Sequence, residues 1–433
     1  MEPLKDIAIV GGCRTPFIKA GTIFKDIAAD ELGRLAASEL FYKLELDPSI
    51  VDETIFGNVG NPMDAMNIAR VIALRSGVPR SRPAHTVHRN CASGFEAITT
   101  AAEKILTGQA ETVLAGGTES MSNMPLVFGP EFTDIAAGLQ KAKTVTGKLS
   151  PALKLRPRHF KPIPALLRGL TDPFSGMLMG QTAELLANEW DISRKEQDEI
   201  ALQSHMKAID AQRSERFSDE TVPVYVPPGY SDTVSYDNGI REDSSLEKLA
   251  RLRPFFDSES GTVTPGNSSQ ITDGASAVLV MSAEKCHSLG IEPLGYLRSW
   301  AYAGLDPERM GLGPVHATPR ALDRAGLSMK DINLIELNEA FAAQVLANVR
   351  AFESKDFAET MLNRTEAVGA IDLDILNVNG GGIALGHPVG ATGTRLILTL
   401  LKEMQRRDVQ FGLATLCVGG GLGGSLVMER RNS

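Results

Sequence analysis

Apolar and polar positions alternate along the chain in a way that separates strand-like from helix-like segments. Ile7-Ala8-Ile9-Val10 is a short apolar run closed by Gly11-Gly12, as a strand followed by a turn would be. A helix-like stretch follows over about 31–46, and Thr54-Ile55-Phe56-Gly57-Asn58 reads as a second strand. After Cys91, apolar residues recur at Ala97, Ile98, Ala101, Ala102, Ile105 and Leu106. That spacing paints one face of a helix, and Gly108 is its stop signal. Thr112-Val113-Leu114-Ala115 is a further strand, ending at Gly116-Gly117. Strands alternating with helices predict an α/β fold with layered packing.

The same order returns near the C-terminus. Leu334-Ile335-Glu336-Leu337 leads to Asn338 as the earlier strand leads to Asn58. A glycine-dense turn at 386–393 opens a helix to about Met404, and Gly412–Cys417 is a strand that runs into glycines. The offsets, 280 from Asn58 to Asn338 and 302 from Ala115 to Cys417, predict two similar halves. The expected division is a first half over 1–121, completed by 244–283, an inserted loop domain over 122–243, and a second half over 284–433. The insertion is rich in Pro and loop residues, with one clear helix at 193–213. Ser193 and Glu196 form a capping-box signature at its start.

Composition adds limits. A chain of 433 residues, 43% hydrophobic and 22% charged, has the profile of an ordinary soluble globular protein. It is long enough to bury a large core without disulfide or metal staples. Its formal net charge of −9 argues against a nucleic-acid binder. No apolar run reaches the roughly 18 residues of a membrane-spanning helix, and Met1–Asp6 lacks the apolar core of a signal peptide. Cys13, Cys91, Cys286 and Cys417 have no CxxC spacing, so neither zinc nor a disulfide framework is expected. A cytoplasmic or other reducing compartment follows. Residues 135–171 hold eight Lys and Arg and no Asp or Glu. This block is either a solvated face or a surface for anions, a membrane or a partner.

Three glycine-dense segments could carry chemistry. In His88-Arg89-Asn90-Cys91-Ala92-Ser93-Gly94, the cysteine stands at the start of the amphipathic helix, where positive partial charge favours thiolate. In Gly386-His387-Pro388, a neutral imidazole could take a proton from a thiol. In Cys417-Val418-Gly419-Gly420-Gly421, a second thiol precedes a run of backbone amides able to stabilise an anion. Asn338-Glu339-Ala340-Phe341 places an amide at a strand's end. Each also has a plain reading: a buried inert cysteine, a structural histidine, a tight turn, a helix cap. Gly11-Gly12 does not complete G-x-G-x-x-G and no P-loop occurs, so nucleotide-binding readings fail.

Taken together, the four motifs resemble the thiolase family in order and spacing. Arg14-Thr15-Pro16-Phe17 and the segment from Gly261 through Asn267-Ser268-Ser269 to Asp273-Gly274 also fit. The resemblance implies an α/β fold of two repeated halves in α-β-α-β-α layers with an inserted loop domain, assembled as a homodimer or tetramer. It implies cleavage of 3-oxoacyl-CoA by CoA, with CoA as substrate and no metal or other cofactor. Carried over by motif, Cys91 is the acylated nucleophile, His387 its base and Cys417 the acid/base, for which a moderately lowered pKa would suit. Asn338 would hold a water that, with His387, stabilises an enolate, and the N–H groups of Cys91 and Gly419 would form a second oxyanion hole. Ser269 would lie near the pantetheine arm, and Met310 and Phe341 would line the acyl pocket.

The chain departs from the pattern of short biosynthetic members at Leu178-Met179-Gly180, where those have His-Met-Gly. Asp237–Arg241 and Ser245-Leu246-Glu247 look more like the thiolase subunits of β-oxidation complexes, although Asn338 stands where those commonly have His. That likeness implies a fatty-acid β-oxidation role, with residues 135–171 docking a hydratase/dehydrogenase partner or a membrane. The alternatives are a biosynthetic, acetoacetyl-CoA-forming thiolase and a ketoacyl-synthase-type enzyme, which would have His at 417.

Overall fold

The computed structural model describes residues 6–431, and Met1–Lys5, part of the segment read above as no signal peptide, lies outside them. The main sheet is built from β1 (Ile7–Arg14), β2 (Glu53–Gly57), β3 (Ala84–Val87), β4 (Thr112–Ser120), β5 (Thr272–Ser282), β6 (Gly295–Gly304), β7 (Leu334–Leu337), β8 (Phe411–Val418) and β9 (Leu422–Glu429). Its order is β7-β8-β9-β6-β1-β5-β4-β2-β3, with a short strand, Ile18–Lys19, on β5.

The sheet is two half-sheets of one plan. In the first, β1 pairs antiparallel with β5, β5 antiparallel with β4, and β4 parallel with β2, which is parallel to β3. In the second, β6 is antiparallel to β9, β9 antiparallel to β8, and β8 parallel to β7. A single parallel bridge, Ile335 to Leu376, stands where a fifth strand would be. Among the described residues the two half-sheets pair through Ala8–Tyr296 and Ile9–Gly295. The strands that precede Asn58 and Asn338, β2 and β7, therefore occupy equivalent positions, as do β4 and β8.

Strand side chains alternate between two cores, as a period of two requires. On β1, Ile7 and Ile9 face a central core, while Ala8 and Val10 face an outer one. On β9, Leu426 and Met428 face the central core and Val427 the opposite outer one. Helices α1 (Ala29–Leu44) and α2 (Ile68–Arg75) cover the first outer face. Helix α3 (Ser93–Leu106) lies in the central layer. The insertion contributes α4 (Pro130–Lys141), α5 (Val145–Leu153), α6 (Met179–Glu189) and α7 (Arg194–Arg213). Helices α8 (Gly313–Ala325) and α9 (Ala342–Glu353) cover the second outer face. Helix α10 (Thr392–Arg407) shares the central layer with α3. The layering is α-β-α-β-α.

Helix α10 is buried on all sides over 392–401, where Leu396, Ile397, Leu398, Leu400 and Leu401 supply the apolar contacts. Such a helix is stable only between two apolar surfaces, where each of these side chains contributes about 1.5–3 kcal/mol. Its Arg395 is equally buried and pairs with Glu336 at 2.7 Å.

The insertion is more helical than its composition predicts. Pro130 sits in the first turn of α4, where a missing N–H costs nothing. Thr144 caps α5 by accepting from Gly147 N–H at 3.1 Å. At α7 the Ser193–Glu196 capping box is present. Among the described residues no helix is long and apolar enough to cross a membrane.

Candidate active site

Cys91 lies in the turn between β3 and α3 and is half-buried. Asn90 takes a left-handed conformation (φ 45°), and Ser93 Oγ accepts from Arg89 N–H and donates to Asn90 O. These contacts lift the thiol out of the helix axis toward the loop after β8. There, Gly419 N–H donates toward the Cys91 sulfur, as does the Cys91 N–H itself. Both favour thiolate, yet burial outweighs them and holds the thiol above its usual range, with the charge of Glu119 acting in the same direction. The expectation that the helix N-terminus yields a resting thiolate is thereby corrected: desolvation is the larger effect.

His387 is buried in the turn that leads into α10. Its Nδ1 lies 2.6 Å from Thr392 Oγ1, which itself donates to Pro388 O at 3.0 Å. A hydroxyl has one hydrogen, so Thr392 accepts from Nδ1–H and leaves Nε2 as the lone pair. Burial, reinforced by Arg395, pushes the imidazole down to about 3, so it is neutral and able to take a proton. Nε2 faces Asn338 Nδ2 at 3.4 Å.

Asn338 follows β7 and is fully buried. Its N–H donates to Thr415 O on β8, and its Oδ1 has no hydrogen-bond partner among the described residues. It does not cap α9, whose cap position is Phe341. An orphan buried acceptor beside a lone-pair nitrogen suits a water or a polar substrate atom.

Cys417 lies on β8, opposite Gly423, and is buried. Burial first, and the neighbouring Cys91 second, push its thiol well above the usual range. The expected lowered pKa is corrected: Cys417 rests protonated, as a donor. The two thiols thus share one site. The His387 turn reaches it too, since a Cβ on Gly94 would stand 3.2 Å from Gly390 O.

The remaining expected residues lie around Asn338–Phe341. Ser269 is half-buried and donates its N–H to Ala340 O, while Ser268 bridges Phe341. Phe341 and Met310 share the outer core of the second half with Met179 and Phe256. Met179 also abuts the Gly419 loop, where a Cβ would meet its sulfur at 3.2 Å. Leu178 occupies the cap of α6. Among the described residues no group of three or more His, Cys, Asp or Glu is arranged to hold a metal ion.

Family models of the thiolase N-terminal domain and the thiolase C-terminal domain match residues 7–284 and 291–430. The chain belongs to the thiolase family. It is 43% identical to a 3-ketoacyl-CoA thiolase of Yersinia enterocolitica over 98% of this chain and 96% of that one. It is 44% identical, with the same coverage, to a 3-ketoacyl-CoA thiolase of Pectobacterium atrosepticum. Among solved structures, a Bacillus anthracis acetyl-CoA acetyltransferase superposes with a TM-score of 0.86 at 35% identity, covering 99% of this chain and 100% of that one. The human mitochondrial 3-ketoacyl-CoA thiolase in complex with CoA gives the same score and identity, covering 99% of both chains.

Three residues of this thiolase site carry functions that sequence reasoning did not assign. Asn90 Nδ2 donates to Gly419 O at 2.7 Å and so orients the peptide chain whose N–H faces Cys91. Thr392 sets the His387 tautomer. Glu339 accepts from Ser204 Oγ, Asn377 Nδ2 and Ile383 N–H, pinning the glycine-rich segment ahead of His387. Asn90 and Glu339 lay inside recognised motifs, but their partners are 329 and 38 or more residues away.

Proposed function

We propose that this thiolase cleaves 3-oxoacyl-CoA with CoA to give acetyl-CoA and a shortened acyl-CoA. His387 Nε2 takes the Cys91 proton, and the sulfur attacks the C3 carbonyl. The Cys91 and Gly419 N–H groups receive the developing oxyanion. The C2–C3 bond breaks with its electron pair leaving as the acetyl-CoA enolate. Asn338, through a bound water and with His387, stabilises the enolate oxygen, and Cys417 supplies the proton to C2. Cys417 then takes the proton of the incoming CoA thiol, whose sulfur attacks the acyl-Cys91 thioester. Cys91 leaves and recovers its proton from His387. A covalent intermediate splits one hard step into two easier ones, and these steps call on no metal or prosthetic group.

The observation that carries this reading is the gathering of Cys91, Cys417 and the Gly419 amide beside the His387–Asn338 pair. Intact-mass analysis with acetoacetyl-CoA tests it. Cys91→Ser is expected to lose the acyl-enzyme, and Cys417→Ser to acylate but turn over at least about 100-fold more slowly, within the range of a general acid–base contribution. A normally acylated Cys91→Ser enzyme, or full turnover by Cys417→Ser, would refute the assignment. Thiolysis rates across a chain-length series give the substrate range.

Ser269 is assigned to the pantetheine arm, and Met310 with Phe341 to the acyl pocket; their position beside the Asn338 segment supports this. A β-oxidation role and a cytoplasmic setting are supported by the named relatives and by four free thiols. Edge strand β3, which among the described residues pairs only with β2, supports assembly into a dimer or tetramer. An anionic membrane is the favoured surface for residues 135–171: Val145, Leu149 and Leu153 form an exposed apolar stripe on α5, flanked by Lys148 and Lys154. Of the eight cations, only Arg158 meets a carboxylate, Glu131, among the described residues. A hydratase/dehydrogenase partner is the other occupant to test.

A further inference from the structure

Glu119, on β4, is fully buried, yet among the described residues it forms no ion pair. Four N–H groups hold its carboxylate instead. Oε1 accepts from Gly60 N–H at 2.8 Å and from Asn58 Nδ2 at 3.1 Å. Oε2 accepts from Val59 N–H at 3.0 Å and from Gly390 N–H at 3.1 Å. Three of these donors lie on the loop leaving β2. The fourth lies three residues beyond His387 and two before Thr392. The fit is close: a Cβ on Gly390 would come within 2.8 Å of Glu119 Oε2.

An amide of the same size could not replace this carboxylate without loss. Its NH2 would face two N–H groups as a donor meeting donors. The charge of Glu119 is also felt at Cys91, whose thiol it raises. Burial pushes the Glu119 carboxyl up to about 7, against the pull of the Gly60, Val59 and Gly390 N–H groups, and the charge of Asp273 on the adjacent strand β5 adds to the rise. One carboxylate therefore bears on both sides of the reacting pair.

We propose that Glu119 is a positioning residue for acyl transfer, its carboxylate fixing the His387 turn, through the Gly390 N–H, against the 58–60 loop that leaves β2 beside the strand leading to Cys91. The proposal rests on the reading of His387 as the base for Cys91. Glu119→Gln keeps the length and removes the charge, while Glu119→Asp keeps the charge and shortens the reach. Both are compared with the parent enzyme by kcat and KM for acetoacetyl-CoA thiolysis, and by the pH profile of Cys91 alkylation with iodoacetamide. The titratable groups bearing on Cys91 in that profile are Glu119, Cys417 and the proton acceptor His387.

For E119Q, kcat is expected to fall 10- to 100-fold with KM for CoA within three-fold of the parent. Its alkylation profile should move to lower pH, because a neighbouring negative charge is gone. A kcat within two-fold of the parent, or an unmoved alkylation profile, overturns the proposal. Should E119Q fail to fold, E119D decides: a ten-fold or greater fall in kcat at unchanged KM supports the proposal, and an unchanged kcat overturns it. His387→Ala is run alongside. If it acylates at the parent rate, the reading of His387 fails; if it does not acylate while E119Q turns over normally, only the Glu119 proposal fails.

Discussion

Asn90 separates the oxyanion donor from the nucleophile at the level of single residues. Its φ of 45° is open to glycine, so Asn90→Gly keeps the turn while removing the hydrogen bond to Gly419 O. Losing one oxyanion donor outright costs about 10²–10³ in kcat. Loosening one through its carbonyl is expected to cost about 10- to 100-fold, with acylation by intact mass slowed to match. The stability loss should be about 1 kcal/mol, the net worth of one hydrogen bond, as read from thermal melts. An unchanged kcat would show that Gly419 is oriented without Asn90. The candidate residues that the fold gathers at this site were legible from the sequence because each sits in a short motif of unusual composition. Their protonation states were not, since burial decides them: the neutral His387 was expected, whereas the raised Cys91 and Cys417 reverse what local dipoles suggest.

Among the elements, the crossing of α3 and α10 is what brings the Cys91 and His387 segments together. Both helices begin with a glycine at the contact. A Cβ on Gly94 would lie 2.6 Å from Thr394 N, and one on Gly393 would lie 2.5 Å from Phe95 N. Backbone cannot yield as a flexible side chain can, so Gly393→Ala must push the helices apart. The expected cost is about 1–3 kcal/mol, seen as a lower Tm, together with a fall in acylation rate because the His387 turn moves with α10. A parent-like Tm would mean that the crossing has slack. The amphipathic face of α3 was legible from its periodicity. The burial of α10 on all sides was not read from the sequence, because a run of apolar residues does not say which surfaces will cover it. Helices α4, α5 and α6 of the insertion were missed for a related reason, whereas α7 was read from its capping box. Helix α5 packs little of its apolar face, so no core-facing pattern marks it.

At the scale of the whole molecule, charge is divided unevenly. Removing residues 135–171 takes eight positive charges from a total of −9 and leaves −17 for the rest. The basic part coincides with the exposed stripe of α5. Binding to phosphatidylglycerol vesicles, measured by flotation, is expected at low salt and should weaken steeply as salt rises, since exposed charges are screened within about 10 Å at 0.1 M. Replacing Lys141, Lys143, Lys148 and Lys154 by Gln should abolish it without changing thiolysis. Parent-like vesicle binding by that variant would remove the membrane reading. Binding only to a hydratase/dehydrogenase protein would favour the partner.

The sequence by itself determined the alternation of elements, the two-fold repeat, the thiolase likeness and the motifs that carry the candidate reacting groups. These are local properties: period, glycine content and short motifs survive without knowledge of distant contacts. The tertiary structure alone decided how the halves join through two residue pairs, and which donors hold Asn90, Thr392, Glu339 and Glu119. It also decided that burial raises both thiols. The physical reason is common to all of these: hydrogen-bond partners and desolvation come from segments tens to hundreds of residues away, and only folding brings them to the site.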